Sequence, residues 1–410
     1  MKKDTAQTKE ESRVVFYNDT VEPTIPANVT PKTPLDKLNL NWRERDLPEK
    51  ERTKHVHRLH PYLGKFIPQL VEIFLRKYFK PGQTVLDPFS GSGTTLVQAN
   101  ELGINSIGYD ISAFNIILAR AKTKHYDLET VHYEVLDILE KVRQATQDEA
   151  QQMTLWSAKK KSSKKNKENE YLKKWFAPQA FHELLAYRDL IENYEDQDIL
   201  KIILSRSARS SRLTTHFDLD FPKKPQTEPY WCYKHSRTCV PTDDAFQFIR
   251  RYSLDTLKRI EEFATHRTNA EVQIFHEDSR KAHIPYVDGV ITSPPYVGLI
   301  DYHDQHKYAY ELLGLEDRSG FEIGAAKRGS SQKAMKSYQE GIAEVFQNVL
   351  KSMPKGGRLI VVAGDRHNLY GEIGKMCNVK VEAIIQRHVN RRTGRRSSDF
   401  FESVFVWRKK

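Results

Sequence analysis

Between Thr84 and Asp110 the chain spells out a complete strand–turn–helix–strand unit, and no other stretch limits its fold as much. Thr84-Val85-Leu86-Asp87 is a short apolar run that predicts a buried strand. Pro88 to Gly93 follows as a glycine-rich turn, Thr94 to Leu102 reads as a helix, and Asn105 to Asp110 as a second strand ending on a carboxylate. Parallel strands joined by a helix belong to sheets covered on both faces. A glycine turn opening a helix brings backbone close to a ligand. An acid about twenty residues after the first strand has the spacing that reaches a ribose hydroxyl pair. The turn lacks the Lys-Ser/Thr ending of an ATP loop, which favours a nucleoside without a triphosphate. A tight turn with no ligand is the plainer alternative.

A second stretch has the same position relative to a strand. Gly289-Val290-Ile291 is a short apolar run, and Thr292-Ser293-Pro294-Pro295-Tyr296 follows it. In an open α/β sheet, ligands gather at the carboxyl ends of strands. Two prolines hold the backbone stiff and leave carbonyls facing outward. With a small hydroxyl before them and a flat aromatic after them, the corner suits a planar substrate bearing an NH₂ group. Further strands are predicted at 271–275, 358–365, 379–388 and 403–407, which makes seven. Because the rhythm fails between the second and third, a doubly wound sheet carrying an inserted domain is expected.

The 410 residues exceed what one core usually holds. A net charge of +11 points to an anionic partner, nucleic acid above all. Three cysteines imply no disulfide framework and a reducing compartment. Lys2 and Lys3 are followed by no apolar core, so a signal peptide is not expected, and no run reaches the roughly 18 apolar residues of a membrane span.

Residues 1–45 read as an extended, proline-punctuated arm with little secondary structure. His55, His57 and His60 lack a well-placed carboxylate, so no metal is assigned to them. Residues 126–268 read as largely helical. They carry a lysine-serine run at 159–167, an SRSARSSR segment at 205–212 suited to phosphate, and an aromatic loop at 217–242. In that loop, Cys232-x-x-His235-x-x-x-Cys239 has spacing compatible with three zinc ligands, and His216 is a fourth by folding back. Structural thiols and a polar histidine are preferred, and no metal is assigned. Arg391, Arg392, Arg395 and Arg396 make a basic hairpin candidate between the last two strands.

Asp87-Pro88-Phe89-Ser90-Gly91-Ser92-Gly93-Thr94-Thr95 resembles the methionine-binding turn of the amino-group DNA methyltransferases that use S-adenosylmethionine. Thr292 to Tyr296 resembles their catalytic motif in its Ser-Pro-Pro-Tyr form. The resemblance covers residues 53–125 and 270–410. It implies a Rossmann-like seven-stranded methyltransferase sheet, with a target-recognition domain inserted in the order called α. The expected divisions are an arm (1–45), a cofactor-binding part (46–125), a target-recognition insert (126–268) and a catalytic part (269–410). By the same resemblance, Asp87, Phe89, Ser90, Gly91, Gly93 and Thr94 form the turn around the methionine part. Asp110 holds the ribose and Asp278 the adenine, while Lys65 belongs to the N-terminal cofactor segment with Tyr62 and Phe66. Ser293, Pro294, Pro295 and Tyr296 are the expected catalytic residues. The Ser-Pro-Pro-Tyr variant resembles enzymes that methylate N4 of cytosine; N6-adenine methylation, RNA methylation and a non-catalytic DNA-binding module are the alternatives. The implied partner is double-stranded DNA, with a cognate restriction endonuclease and a bacterial cytoplasm as the setting.

Overall fold

A computed structural model describes residues 14–64, 66–155, 169–220, 222–389 and 400–410, with side chains described for all of these but 147–155. Among them, eight strands join one sheet: β1 (Val15–Tyr17), β2 (Thr84–Asp87), β3 (Asn105–Tyr109), β6 (Val272–Phe275), β7 (Gly289–Thr292), β8 (Arg358–Ala363), β9 (Val379–His388) and β10 (Phe401–Lys409). Strands β4 (Tyr230–Cys232) and β5 (Arg237–Cys239) form a separate hairpin. The sheet order is β1-β9-β10-β8-β7-β2-β3-β6. Its run from β8 to β6 is parallel, while β10 lies antiparallel to both β8 and β9.

The Rossmann-like sheet expected from the sequence is therefore present, with all seven predicted strands. The eighth, β1, corrects the reading of the arm. Val15, Phe16 and Tyr17 pair in parallel with Ile384, Ile385 and Gln386. Beyond this strand, Val29, Leu38 and Leu40 are buried, and Asn41 Oδ1 accepts from the His388 amide at 2.6 Å. Three residues with one paired edge leave too weak a periodicity to be read locally.

Helices α1 (Pro68–Tyr78), α2 (Thr94–Glu101), α3 (Ala113–Thr123), α4 (Leu128–Leu155), α5 (Glu170–Trp175), α6 (Pro178–Leu190), α7 (Gln197–Ser211), α8 (Phe246–Ala264), α9 (Lys307–Leu313), α10 (Gln332–Lys351) and α11 (Tyr370–Met376) complete the frame. Pro68 opens α1, where its missing N–H costs nothing. Ser112 caps α3 by accepting from the Asn115 amide. Successive residues of β2 face opposite sides of the sheet. Val85 joins the core under α1, and Leu86 the core under α10 and α11. A third core holds α4 to α8 together with Phe114 and Leu118 of α3 and Tyr308, Ala309 and Leu312 of α9. Helices α4 to α8 are thus packed onto α3 and α9 of the sheet's own frame through continuous apolar contact.

Candidate functional site

The direction of strand order changes at β2: β3 and β6 lie on one side, β7 and β8 on the other. In such sheets, the crevice beyond the strand ends at that point is the ligand site. Strands β2 and β7 are neighbours, with Val85 opposite Gly289 and Leu86 opposite Val290. The loops that follow them therefore emerge side by side. Thr292 Oγ1 donates to Asp87 Oδ1 at 2.6 Å across 205 residues of sequence. The Phe89 amide donates to the same oxygen at 3.2 Å. Asp87 is fully buried, and burial pushes its carboxyl up to about 6 against the pull of the Thr292 hydrogen bond.

The glycine turn is built by conformation as much as by contacts. Gly91 and Gly93 have φ of 48° and 76°, a region L side chains rarely adopt. A Cβ on Gly91 would lie 3.1 Å from the Tyr62 hydroxyl, and one on Gly93 would press on Ala119. Asp110 Oδ2 accepts from the Gly91 amide at 2.8 Å, while Oδ1 accepts from the Ser112 amide at 2.8 Å and from Asn115 Nδ2 at 3.1 Å. Burial raises its carboxyl above the ordinary value despite these donors.

A cleft opens above these loops. Phe89, Ser90, Gly91 and Thr94 line it from the first motif, and Ser293 and Pro295 from the second. Asp110 and Asp278 line it beyond the ends of β3 and β6. Asp278 holds Arg280 through both carboxylate oxygens, at 2.6 to 3.0 Å. Burial raises the Asp278 carboxyl, but the bonds from Arg280 outweigh it and leave the carboxyl below its ordinary value. Asp87 and Gly93 sit behind the lining, where they shape the turn. Pro294 and Tyr296 are also outside the lining. Tyr296 donates to Glu402 Oε1 at 2.8 Å, and Glu402 is paired with Arg387, so β10 and β9 hold the ring from behind. The Pro295 carbonyl accepts from Tyr338 of α10 at 2.9 Å. Lys65 lies outside the described residues.

Several lining residues have no counterpart in the sequence reading. Asn115 faces the cleft from α3; Tyr302, His303 and Glu322 close it from the segment between β7 and α10. The Tyr62 and Tyr302 rings stack at 6.0 Å. His303 and Glu322 form a buried pair, in which Glu322 also accepts from the His303 amide at 3.1 Å. The aromatic and histidine density of Tyr302-His303-Asp304-Gln305-His306-Lys307-Tyr308-Ala309-Tyr310 was the available signal. Ser90 Oγ, Ser92 Oγ, Thr94 Oγ1 and Asn115 Oδ1 are buried with no partner among the described residues. Lining hydroxyls and an amide left unsatisfied are what a polar ligand would complete.

Elsewhere the structure replaces two expectations. Arg206 and Arg209 pair with Asp255 and Asp220, and Arg212 is buried over the Tyr308 ring, so the SRSARSSR arginines turn inward instead of presenting themselves to phosphate. His55 does meet a carboxylate, Glu101 at 2.9 Å, brought in by α2, but Lys54 binds the same carboxylate at 2.6 Å. The lysine-serine run and the basic hairpin at 391–396 lie outside the described residues.

Residues 2–121 match a family described as DNA methylase, and residues 79–177 match a methyltransferase domain. The chain is 38% identical over 430 aligned residues to the type II methyltransferase M.MjaII of Methanocaldococcus jannaschii, covering 88% of this chain and 81% of that one. It is 23% identical over 332 residues to the type II methyltransferase M.BsoBI of Geobacillus stearothermophilus, covering 71% and 60%. Among solved structures, TrmN from Thermus thermophilus aligns with a TM-score of 0.34 at 12% identity, covering 85% of this chain and 50% of that one.

Proposed function

This chain belongs to the amino-group DNA methyltransferases, and from that premise we propose that it methylates N4 of a cytosine turned out of duplex DNA at a specific sequence. Its cofactor is S-adenosylmethionine. The residues present fit that group. The unsatisfied hydroxyls of Ser90, Ser92 and Thr94 offer partners for the amino and carboxylate ends of its methionine part. Gly91 leaves room beside Tyr62. Asp110 Oδ2 accepts one protein bond and keeps a lone pair for a ribose hydroxyl. Asp278, which lines the cleft with Glu277 beside it, would take the adenine end by the family resemblance. When bound, the cofactor supplies an electrophilic methyl group.

The chain's own task is to present the amine. The lone pair of an exocyclic amine is shared with its ring, which makes it a poor nucleophile. The Ser293 hydroxyl and the Pro294 carbonyl accept its two N–H bonds and leave the lone pair aimed at the methyl carbon. With the cofactor bound, its methyl would pass from sulfur to that nitrogen, and the N–H proton lost from the nitrogen would go to water. Tyr296, its plane held by Glu402, stacks on the displaced base. That recovers part of the few kcal/mol that base flipping costs. Carbon-5 methylation would need a thiolate. Among the described residues no cysteine lines the cleft, and burial raises the Cys377 thiol to about 12.

The observation that carries this reading is the Asp87–Thr292 bond, which seats the Ser293 loop beside the glycine turn over one cleft. The cytosine preference rests on Ser293, since adenine enzymes of the family more often carry Asp or Asn there. The test is incubation with labelled S-adenosylmethionine and duplex DNA, then nucleoside analysis. N4-methylcytosine is expected, and Ser293→Ala should abolish it; label confined to N6-methyladenine would reverse the base assignment. Label only with single-stranded RNA would point to the RNA reading. No transfer to either, with DNA still bound, would leave a binding module. A bacterial cytoplasm and a companion endonuclease cutting the same unmethylated sequence complete the proposed setting. Among the described residues no helix is long and apolar enough to cross a membrane.

A further inference from the structure

The hairpin β4–β5 places four donor atoms around one point. Cys232 ends β4, Cys239 ends β5, His235 lies in the turn between them, and His216 folds back from the preceding loop. Cys232 Sγ is 3.6 Å from His216 Nδ1 and 3.6 Å from His235 Nδ1, and Cys239 Sγ is 3.5 Å from His235 Nδ1. The four residues bring one donor atom each to within 4.8 Å of one another. A tetrahedral zinc with bonds of about 2.3 Å to sulfur and about 2.05 Å to nitrogen has sulfur–nitrogen edges of about 3.6 Å. Hydrogen bonding explains the cluster less well. One ring nitrogen of His235 has a single proton or a single lone pair, yet it faces two sulfurs at nearly equal distance.

The hairpin also needs something its sequence does not supply. Each strand has three residues, and a lone two-stranded hairpin is marginal in water. Its apolar side chains face out: Trp231 is 56% exposed, Tyr233 85% and Val240 72%. The groups it buries are the two sulfurs, at 3% and 7% exposure. A hairpin that hides its thiols and displays its aromatics is organised around those thiols.

We propose that His216, Cys232, His235 and Cys239 bind a structural zinc ion that holds this hairpin. Two thiolates and two neutral imidazoles are the donor set of closed, four-coordinate zinc sites. Binding releases the two thiol protons to solvent, and two thiolates balance the ion's charge. The Tyr230 hydroxyl, 2.8 Å from His216 Nδ1, yields that contact to the ion and keeps the bond it accepts from the His216 amide at 3.1 Å. The cluster at His55, His57 and Glu101 does not compete, because Lys54 already holds its carboxylate. The proposal is independent of which base the enzyme methylates.

The test is elemental analysis of the full chain, purified without chelator or metal-affinity tag. About one zinc per chain is expected, falling below about a tenth in Cys232→Ser and in His216→Ala. Cys377→Ser, buried against Ala343 in another core, should keep its zinc. Should the ligand variants fail to fold, wild-type protein loaded with cobalt decides, through thiolate-to-cobalt charge transfer and the visible bands of a tetrahedral site. A chain that purifies without metal and gives no such bands with added cobalt overturns the proposal. So does a Cys232–Cys239 disulfide found by mass analysis of protein kept under reducing cytosolic conditions.

Discussion

A carboxyl group sits wholly out of water at Asp87, with Oδ1 bonded to Thr292 and Oδ2 without a partner among the described residues. Between the unfolded value of 3.8 and the folded value of about 6, the folded chain holds a proton that the unfolded chain has lost. Stability from this group is therefore greatest below 3.8, falls as pH rises through that window and is flat above it. Asp87→Asn should remove that slope, on the order of 2–3 kcal/mol between its ends. Urea unfolding of both proteins at pH 4 and pH 7 measures it, and equal slopes would refute the assignment. Gly91 makes a different kind of prediction. Its φ of 48° and the 3.1 Å approach of a Cβ to Tyr62 make Gly91→Ala strained at the turn itself. The strain should cost about 1–2 kcal/mol, seen as about a tenfold weaker S-adenosylmethionine affinity in calorimetry. Gly371, around which a Cβ would meet nothing within 4 Å, supplies the control.

At the scale of elements, two helices begin on carboxylates lent by their neighbours. Glu183 of α6 accepts from the Ala245 and Phe246 amides at the start of α8, at 2.6 and 2.9 Å. Glu134 of α4 accepts from the Glu195 and Asp196 amides just before α7, at 2.8 and 2.9 Å. Each bond satisfies a helix-terminal donor that has no intrahelical partner and favours the positive end of the helix dipole. Glu183→Ala should destabilise the chain by about 1–2 kcal/mol, read as a lower urea midpoint at unchanged slope. An unchanged midpoint would show the cap to be dispensable. The arm carries the second element-scale expectation. Removing residues 1–17 takes β1 away and bares the edge of β9, an invitation to strand pairing between molecules. Concentration-dependent association should appear in sedimentation, with cofactor affinity retained.

Over the whole molecule, the reading proposed for residues 126–268 is recognition of the DNA sequence. They pack into the same core as α3 and α9, so an exchange with another family member must carry a compatible apolar face. A swap that preserves that face should change the methylated sequence and leave cofactor binding intact; methylome sequencing of expressing cells reads the outcome, and an unchanged site would refute the role. The frame was legible because its signals are local. The apolar run of β2, the glycines at 91 and 93, the closing carboxylate at 110 and the proline pair after β7 each show their character within a few residues. Cofactor class and reaction class came from the resemblance of those motifs to the amino-group DNA methyltransferases. What closes the cleft was not legible. Asn115 and Glu322 are ordinary residues until tertiary packing brings them together, and the aromatic and histidine density at 302–310 does not by itself say that Tyr302 and His303 join them. The inward pairing of Arg206 and Arg209, the β1–β9 edge and the convergence of His216 on Cys232, His235 and Cys239 are likewise contacts between segments. Local sequence determined the strands, the turns and the chemistry they can carry, because backbone preference and side-chain period act over a few residues. Only the tertiary structure decided which of those turns share a cleft and which donors share a point, because burial and pairing are settled between residues as far apart as Asp87 and Thr292.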